Sequence, residues 1–271
     1  MSGKHGADTP NPNPFPARGK GLDGAAQAIH KPLAGAGVIL YPGRMSADDD
    51  KKAVGYAAAE LVRSGMIVGL GTGSTAAWFV RALAERKLDI RGVPTSEATA
   101  ALARELGITV VALDDVSQID LTIDGADEIG PGLSLIKGGG AALLREKLVW
   151  EASKRCVAIA DGSKVVKPFG KFPLPIEVIA FGHKGTANRL CDAFAECDLG
   201  VAPRLRLKDG APVRTDSGNL IYDAACGAIP DPALLAAAIK SVTGVVEHGL
   251  FLDLADEALV SRPGGVEHLT P

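Results

Sequence analysis

Hydrophobic positions after residue 45 follow two spacings, one typical of helices and one typical of buried strands. Between Ala53 and Val62 the apolar residues recur three and four positions apart, which predicts a helix with one buried face. Ser46 or Asp48 is placed to cap the first turn of this helix. Met66–Leu70 is an uninterrupted apolar run, and it predicts a buried strand directly after the helix.

The alternation of strand and helix continues toward residue 164. Strands are predicted near residues 92–94, 109–112, 121–123 and 157–160, and helices over residues 74–85, 97–106 and 141–154. Strands that alternate with helices indicate a mostly parallel sheet covered on both faces. Aromatic residues make up only 4% of the chain and glycines total 33, which suits close packing of helices on such a sheet.

The pattern changes at residues 167–175, where three prolines in a short stretch mark a boundary. Beyond it, the order strand, helix, two strands, helix, strand predicts a ferredoxin-like βαββαβ unit. The strands are predicted at residues 176–181, 204–208, 220–224 and 244–252, and the helices at residues 185–196 and 232–241. Residues 258–261 are expected to return to the first sheet. The predicted fold class is therefore α/β: a Rossmann-like open parallel sheet domain at residues 45–170, an inserted ferredoxin-like α+β domain at 171–250, and a return to the first domain with a tail at 251–271.

Residues 1–44 have a different composition. They are rich in proline and glycine and show no apolar period, so they bury too little surface to offset the entropy of ordering. Met45 begins a stretch that itself resembles a native start. We expect residues 1–44 to be a disordered extension, a misassigned start or a cloning remnant.

Composition excludes several classes of function. The formal net charge of −3 and the pI of about 6.0 argue against a nucleic-acid partner, but they allow a small anionic substrate. The histidines and cysteines have no ligand spacing, so no metal site is expected. No apolar run approaches the roughly 20 residues that span a bilayer, and no secretion signal is recognisable. A cytoplasmic protein without a membrane partner is the simplest expectation.

The loop Gly69–Thr75 follows a predicted strand and precedes a helix. Backbone N–H groups at a helix start bind anions such as phosphate, and the hydroxyls of Ser74 and Thr75 add donors. Two alternatives remain at this point: a glycine turn needed only for packing, and a loose dinucleotide fingerprint, Gly71-x-Gly73-x-x-Ala76.

Three further glycine-containing loops follow predicted strands: Asp124–Glu128, Lys137–Gly140 and Asp161–Lys164. Carboxylates at the carboxyl ends of parallel strands point into the crevice where open α/β sheets bind ligands. Lys137 is a compact cation suited to a developing oxyanion. Glu146, beyond the glycines, is either a base facing the same crevice or an ordinary solvated helix residue.

Together these motifs resemble type A ribose-5-phosphate isomerase. The resemblance covers residues 45–265 in unbroken order and rests on these segments: Lys51-Lys-Ala-Val-Gly, Gly69-x-Gly-Thr-Gly-Ser-Thr75, Asp124-Gly-Ala-Asp-Glu128, Lys137-Gly-Gly-Gly-Ala-Ala-Leu-x-Arg-Glu146, Gly170-Lys-Phe-Pro-Leu-Pro-x-Glu-Val178, Asp216-x-Gly-Asn219 and Gly244-Val-Val-x-x-Gly-Leu-Phe251. One departure is Gly162, where relatives often have alanine.

The resemblance implies interconversion of D-ribose 5-phosphate and D-ribulose 5-phosphate through a cis-enediolate, in the non-oxidative pentose phosphate pathway, without metal or cofactor. It implies that Glu146 moves the proton, that Asp124 assists ring opening, and that Asp127 and Lys137 hold the reacting oxygens. The implied substrate-binding residues are Lys51, Thr72, Gly73, Ser74, Thr75, Asp124, Gly125, Ala126, Asp127, Lys137, Gly138, Gly139, Gly140 and Lys164. Family analogy favours a homodimer, or a tetramer.

Two rival functions remain open from the sequence. The fingerprint at Gly71 allows a dinucleotide-dependent oxidoreductase. A sugar-phosphate-sensing module is the second, although no DNA-binding helix pair is recognisable in the sequence.

Overall fold

The computed structural model describes residues 46–271. The expectation for residues 1–44 lies outside this part of the chain. The helices are α1 (Ala47–Ala59), α2 (Ser74–Glu85), α3 (Glu97–Glu105), α4 (Leu143–Glu151), α5 (His183–Glu196) and α6 (Pro232–Ser241). The strands are β1 (Ile67–Leu70), β2 (Arg91–Pro94), β3 (Thr109–Val110), β4 (Leu121–Gly125), β5 (Glu128–Ile129), β6 (Leu135–Ile136), β7 (Cys156–Asp161), β8 (Leu174–Val178), β9 (Arg204–Leu205), β10 (Leu207–Lys208), β11 (Ala211–Pro212), β12 (Leu220–Ala224), β13 (Val245–His248), β14 (Leu250–Phe251), β15 (Glu257–Arg262) and β16 (Gly265–Leu269).

The largest sheet has the strand order β16-β15-β7-β4-β1-β2-β3. Every neighbouring pair from β15 to β3 is parallel, and only β16 pairs antiparallel, at the edge. The predicted parallel sheet and the return of residues 258–261 to it are confirmed. The chain crosses from β1 to β2 on one side and to β4 on the other, so the ligand crevice of such a sheet opens between β1 and β4.

Two apolar cores cover the two faces of this sheet. Alternate side chains of β7 enter different cores, because successive residues of a strand point to opposite faces. Val157 and Ile159 join the core built by α1 and α2. Ala158 and Ala160 join the core that contains Trp150 and Phe251. Helix α4 is thereby held against the face opposite to α1.

A second sheet has the order β13-β8-β12-β9, and its pairs are antiparallel. With α5 and α6 it forms the βαββαβ unit expected from the sequence, over a core of its own. The predicted bounds of β12 and α6 agree with the structure. The division of the chain into domains at the predicted boundaries stays a prediction.

Short and irregular elements differ from the expectations. The strand expected at residues 244–252 is two strands in different sheets, because β14 pairs with β6 in a small sheet that also contains β5. Helix α4 begins at Leu143 rather than at Ala141, because Ala141 has a φ of 58° and leaves the helical region. Ser46, one of two predicted caps, forms a capping box with Asp49.

Across residues 46–271, no helix combines the length and the apolar character needed to cross a membrane.

Candidate active site

Lys137 lies at the centre of a buried group of charged side chains. It follows β6 directly, and its side chain is only 2% exposed. Its Nζ donates to the carbonyl oxygen of Gly125 at 2.5 Å. The same Nζ lies 3.0 Å from Asp124 Oδ2 and 3.5 Å from Glu146 Oε2. One ammonium group therefore faces two carboxylates in a region closed to water.

Asp124 occupies the end of β4 rather than a loop, which corrects the sequence prediction for Asp124 and Gly125. Its Oδ1 accepts hydrogen bonds from the backbone N–H groups of Thr72 and Gly125, at 3.1 and 2.7 Å. Gly71 permits this arrangement, since a Cβ there would lie 2.2 Å from Asp124 Oδ1. The β1 and β4 loops are thus joined through one carboxylate at the crevice.

Glu146 lies in the first turns of α4 and is 4% exposed. The position is not solvated helix surface. Burial, the largest cause, and the charge of Asp124 together raise the pKa of Glu146 to about 8, although Lys137 lowers it. Its Oε2 accepts no hydrogen bond within the described residues. Such a carboxyl group has the basicity that proton abstraction next to a carbonyl requires.

Two aromatic rings separate these charges from water. Lys137 Nζ lies 5.6 Å from the ring centre of Trp150 and 5.4 Å from that of Phe251. Burial lowers the pKa of Lys137, but the charges of Asp124 and Glu146 more than offset this effect, and the net pKa is raised. Lys137 therefore stays a cation that can stabilise a developing oxyanion.

Asp127 is held by the glycine loop. Its Oδ2 accepts from the backbone N–H of Gly139 at 2.7 Å. Gly138 has a φ of 108°, a conformation that residues with a side chain rarely adopt. Asp127, Gly139 and Gly140 are accessible to solvent, whereas Gly138 is buried. The carboxylate of Asp127 is therefore the member of the group that meets the crevice.

The first loop ends at the start of α2. Gly73 is the N-cap and offers no side-chain acceptor, so the first N–H groups of the helix, at Ser74 and Thr75, are available to an anion. Thr72 differs, because its hydroxyl lies 2.7 Å from Thr95 Oγ1 and 2.8 Å from Ser96 Oγ. The Thr72 hydroxyl is therefore hydrogen-bonded to buried hydroxyls, and its backbone N–H donates to Asp124.

Lys51 and Lys164 lie at the same edge of the sheet, both half buried. Lys51 is on α1, where the neighbouring Asp50 accepts a hydrogen bond from Ser261 Oγ at 2.8 Å. Ser261 pairs with Asp161 at the end of β7, and Lys164 ends the short 3₁₀ turn that follows. Ala126, another predicted substrate contact, packs in part against the core of Trp150.

Two residues near the site were not found by sequence reasoning. Lys147 lies on the same helix as Glu146, is 8% exposed and is bound by Glu247. Arg206 reaches the glycine loop from the second sheet. Neither contact has a local signal in the sequence, because Glu247 lies 100 positions from Lys147 and Gly138 lies 68 positions from Arg206.

No group of three or more His, Cys, Asp or Glu side chains within residues 46–271 is arranged to hold a metal ion. The charged group instead combines a buried carboxyl of raised pKa, a fixed cation and a second carboxylate. Together with a free helix start on a neighbouring loop, it suits proton transfer on a small phosphorylated molecule.

Known proteins are similar to this chain in sequence and in fold. A family model for ribose 5-phosphate isomerase A (phosphoriboisomerase A) matches residues 91–265. Ribose-5-phosphate isomerase A of Caulobacter sp. (strain K31) is 73% identical over 227 residues, covering 84% of this chain and 100% of the relative.

Solved structures of ribose 5-phosphate isomerases also have a similar fold. Ribose 5-phosphate isomerase from Plasmodium falciparum has a TM-score of 0.79 and 38% identity, covering 83% of this chain and 99% of that one. A D-ribose-5-phosphate isomerase solved in complex with phospho-erythronic acid has a TM-score of 0.77 and 36% identity, covering 84% and 100%. The chain belongs to the ribose 5-phosphate isomerase A family.

Proposed function

We propose that Glu146 is the base that carries a proton between C1 and C2 as D-ribose 5-phosphate and D-ribulose 5-phosphate are interconverted. The chain is an aldose–ketose isomerase by family, and the proposal concerns how its residues perform that reaction. The observation that carries it is the buried Glu146 carboxyl, whose pKa is raised to about 8 and whose Oε2 accepts no hydrogen bond within the described residues.

Each neighbour of Glu146 has a role that fits its contacts. Lys137 stabilises the negative charge that develops on the substrate oxygen, since its Nζ is fixed 3.5 Å from the base. Asp127 holds the reacting hydroxyls, being accessible from the crevice. Asp124 assists opening of the furanose ring and keeps Lys137 charged at 3.0 Å.

The phosphate end of the substrate is assigned to the loop before α2. The N–H groups and hydroxyls of Ser74 and Thr75, with Gly73, form the anion site at the helix start, and Lys51 and Lys164 add positive charge at the same edge. The backbone of Thr72 and the glycines Gly138, Gly139 and Gly140 line the sugar, between the phosphate and the base. Binding the phosphate remotely places C1 and C2 against Glu146.

The setting of the reaction is proposed as well. We infer a cytoplasmic enzyme of the non-oxidative pentose phosphate pathway that needs no metal and acts as a homodimer or tetramer. Full activity in excess chelator and a dimeric or tetrameric mass by light scattering are the expected results. Activity that depends on added metal, or a monomeric mass, would contradict the corresponding part.

The base is tested by Glu146→Gln, with Glu151→Gln as the matched control at the exposed end of the same helix. Losing a positioned base costs on the order of 10²–10⁴ in rate, so kcat of Glu146→Gln should fall at least about a hundredfold. Binding of phospho-erythronic acid should persist, and Glu151→Gln should behave as the unmodified protein. Near-normal turnover by Glu146→Gln, measured by formation of the ketose, would refute the assignment.

A further inference from the structure

Arg206 directly follows a strand of the second sheet, and its side chain contacts the glycine loop of the candidate site. It lies between β9 and β10, where its backbone N–H donates to Ile221 O at 2.8 Å and its carbonyl accepts from Val213 N at 3.0 Å. The side chain is 15% exposed. Backbone and burial together fix the position from which the guanidinium extends.

All three nitrogens of the guanidinium are bound. Nε donates to Asp223 Oδ2 at 2.8 Å and Nη2 donates to Asp223 Oδ1, a bidentate pair. Nη1 donates to the carbonyl oxygens of Gly138 and Gly139, at 2.8 and 3.0 Å. Asp223 on β12 therefore orients the guanidinium, and the guanidinium holds two successive carbonyls of the loop.

The first of these carbonyls shares a peptide group with an N–H that contacts the site. In a trans peptide the C=O and the N–H point in opposite directions across one plane. The Gly138 oxygen accepts from Arg206, while the Gly139 N–H of the same peptide donates to Asp127 Oδ2 at 2.7 Å. Arg206 and Asp127 thus bind opposite ends of one rigid group.

The backbone of this loop would be poorly fixed without the hydrogen bonds from Arg206. Three successive glycines restrict the backbone least, so a glycine peptide rotates easily between conformations. The segment also joins Lys137 to the helix that carries Glu146. An error of about 1 Å in the position of a reacting group costs on the order of a hundredfold in rate.

We propose that Arg206, oriented by Asp223, is a positioning residue: it fixes the Gly138–Gly139 peptide so that the Gly139 N–H orients Asp127. The inference rests on the proposed function, because Asp127 is assigned there to the reacting end of the substrate. The contact of Arg206 with the glycine loop does not depend on which substrate is converted.

Arg206→Gln is the test variant and Arg214→Gln its matched control. Arg214 also donates to a backbone carbonyl, that of Gly218 at 2.9 Å, but it is exposed and belongs to the neighbouring turn. Arg206→Gln should speed amide hydrogen exchange of residues 138–141 about tenfold or more, since a charge-assisted bond is removed. It should also lower kcat about ten- to a hundredfold while changing KM less than about threefold, because the phosphate end is bound elsewhere.

Arg206→Lys should recover only part of kcat, since an ammonium group cannot bind Asp223 and two carbonyls in one plane. Asp223→Asn serves where Arg206→Gln folds poorly, and it should show the same split between kcat and KM. Unchanged exchange at residues 138–141 in both variants would overturn the proposal, as would a kcat within twofold of the control. If Glu146→Gln keeps normal turnover, the proposed base fails, and the exchange measurement still decides the role of Arg206.

Discussion

Lys137 and Lys147 are both buried, and both place Nζ near the ring of Phe251, at 5.4 and 4.9 Å from its centre. Lys147 donates to Glu247 Oε1 at 2.8 Å and to the carbonyl oxygens of His248 and Leu250, at 2.8 and 3.0 Å. An ammonium group has three protons. Those of Lys147 are fully used by groups that hold α4 to β13 and β14.

Lys137 has a different balance of charges and bonds. It makes one short bond, to Gly125 O, and faces two carboxylate oxygens that accept no hydrogen bond within the described residues. Burial and the charge of Asp124 raise the pKa of Glu146, and the two carboxylates raise the pKa of Lys137 despite its burial. Around Lys147, burial lowers the lysine pKa and the pKa of Glu247 is also lowered, despite burial, by the lysine. A saturated pair stabilises the fold, whereas an unsaturated group keeps capacity for a substrate.

The largest difference should appear in kcat. Lys137→Met removes the cation at the developing oxyanion, which costs about 10²–10³ in kcat, and it should raise KM much less. Steady-state kinetics measure the split. A variant that mainly raises KM would make Lys137 a simple binding residue and would remove the contrast with Lys147.

Lys147→Met should instead lower stability. Removing one partner of a buried ion pair leaves the other uncompensated and costs about 3–5 kcal/mol, which corresponds to a fall in Tm of roughly 10 °C in a chain of this size. Thermal unfolding followed by circular dichroism gives the value, with Lys154→Met, in an exposed pair with Asp120, as control. The kcat of Lys147→Met at 25 °C should stay within a few fold; a loss matching that of Lys137→Met would show that both lysines serve the reaction.

The pH dependence of stability should distinguish the group around Lys137 from the group around Lys147 between pH 4.5 and about 8. The pKa of Glu146 in the folded protein, about 8, exceeds its ordinary value of 4.5, so between these values the folded state binds the extra proton. The free energy of unfolding then falls as pH rises through this window, and its slope against pH corresponds to at most one proton. Glu146→Gln has no such proton, so its Tm should gain on the unmodified protein between pH 5 and pH 9. A constant difference would contradict the raised pKa.

His248 should have a smaller effect, on the acid side. Burial and the charge of Lys147 lower the pKa of His248 to about 4, from 6.5. The unfolded chain therefore binds the extra proton between pH 6.5 and 4, and stability is lost as pH falls through that window. His248→Gln should reduce the slope of stability against pH there by up to one proton. An unchanged slope would show that this histidine is not the group responsible.

Helices and strands were predicted correctly where their apolar residues recur with a regular spacing. The bounds of β12 and α6 follow from apolar patterning and turn residues. The pairing of β5, β6 and β14 into a small sheet was not predicted, because strands of two residues carry no period that would indicate their partners. Strand β16 was missed for another reason: its residues are largely exposed, so it lacks the apolar signal of a buried strand.

The sequence indicated which residues belong to the site better than it indicated how they are arranged. The loops at strand ends indicated a crevice, and the resemblance supplied the role of Glu146. Burial of Lys147 and the reach of Arg206 depend on partners far along the chain, Glu247 and Gly138. Such contacts follow from tertiary packing, which local residue patterns do not encode.

The placement of β15 between β7 and β16 has a consequence for synthesis on the ribosome. Strands β1 to β4 and β7 emerge early, but the neighbour of β7 on its other side, Glu257–Arg262, is translated only after the whole second sheet. Until then β7 presents an unpaired edge of apolar residues, the kind of surface that promotes association between chains. A nascent chain stalled before residue 257 should therefore depend on chaperones more than one released after it.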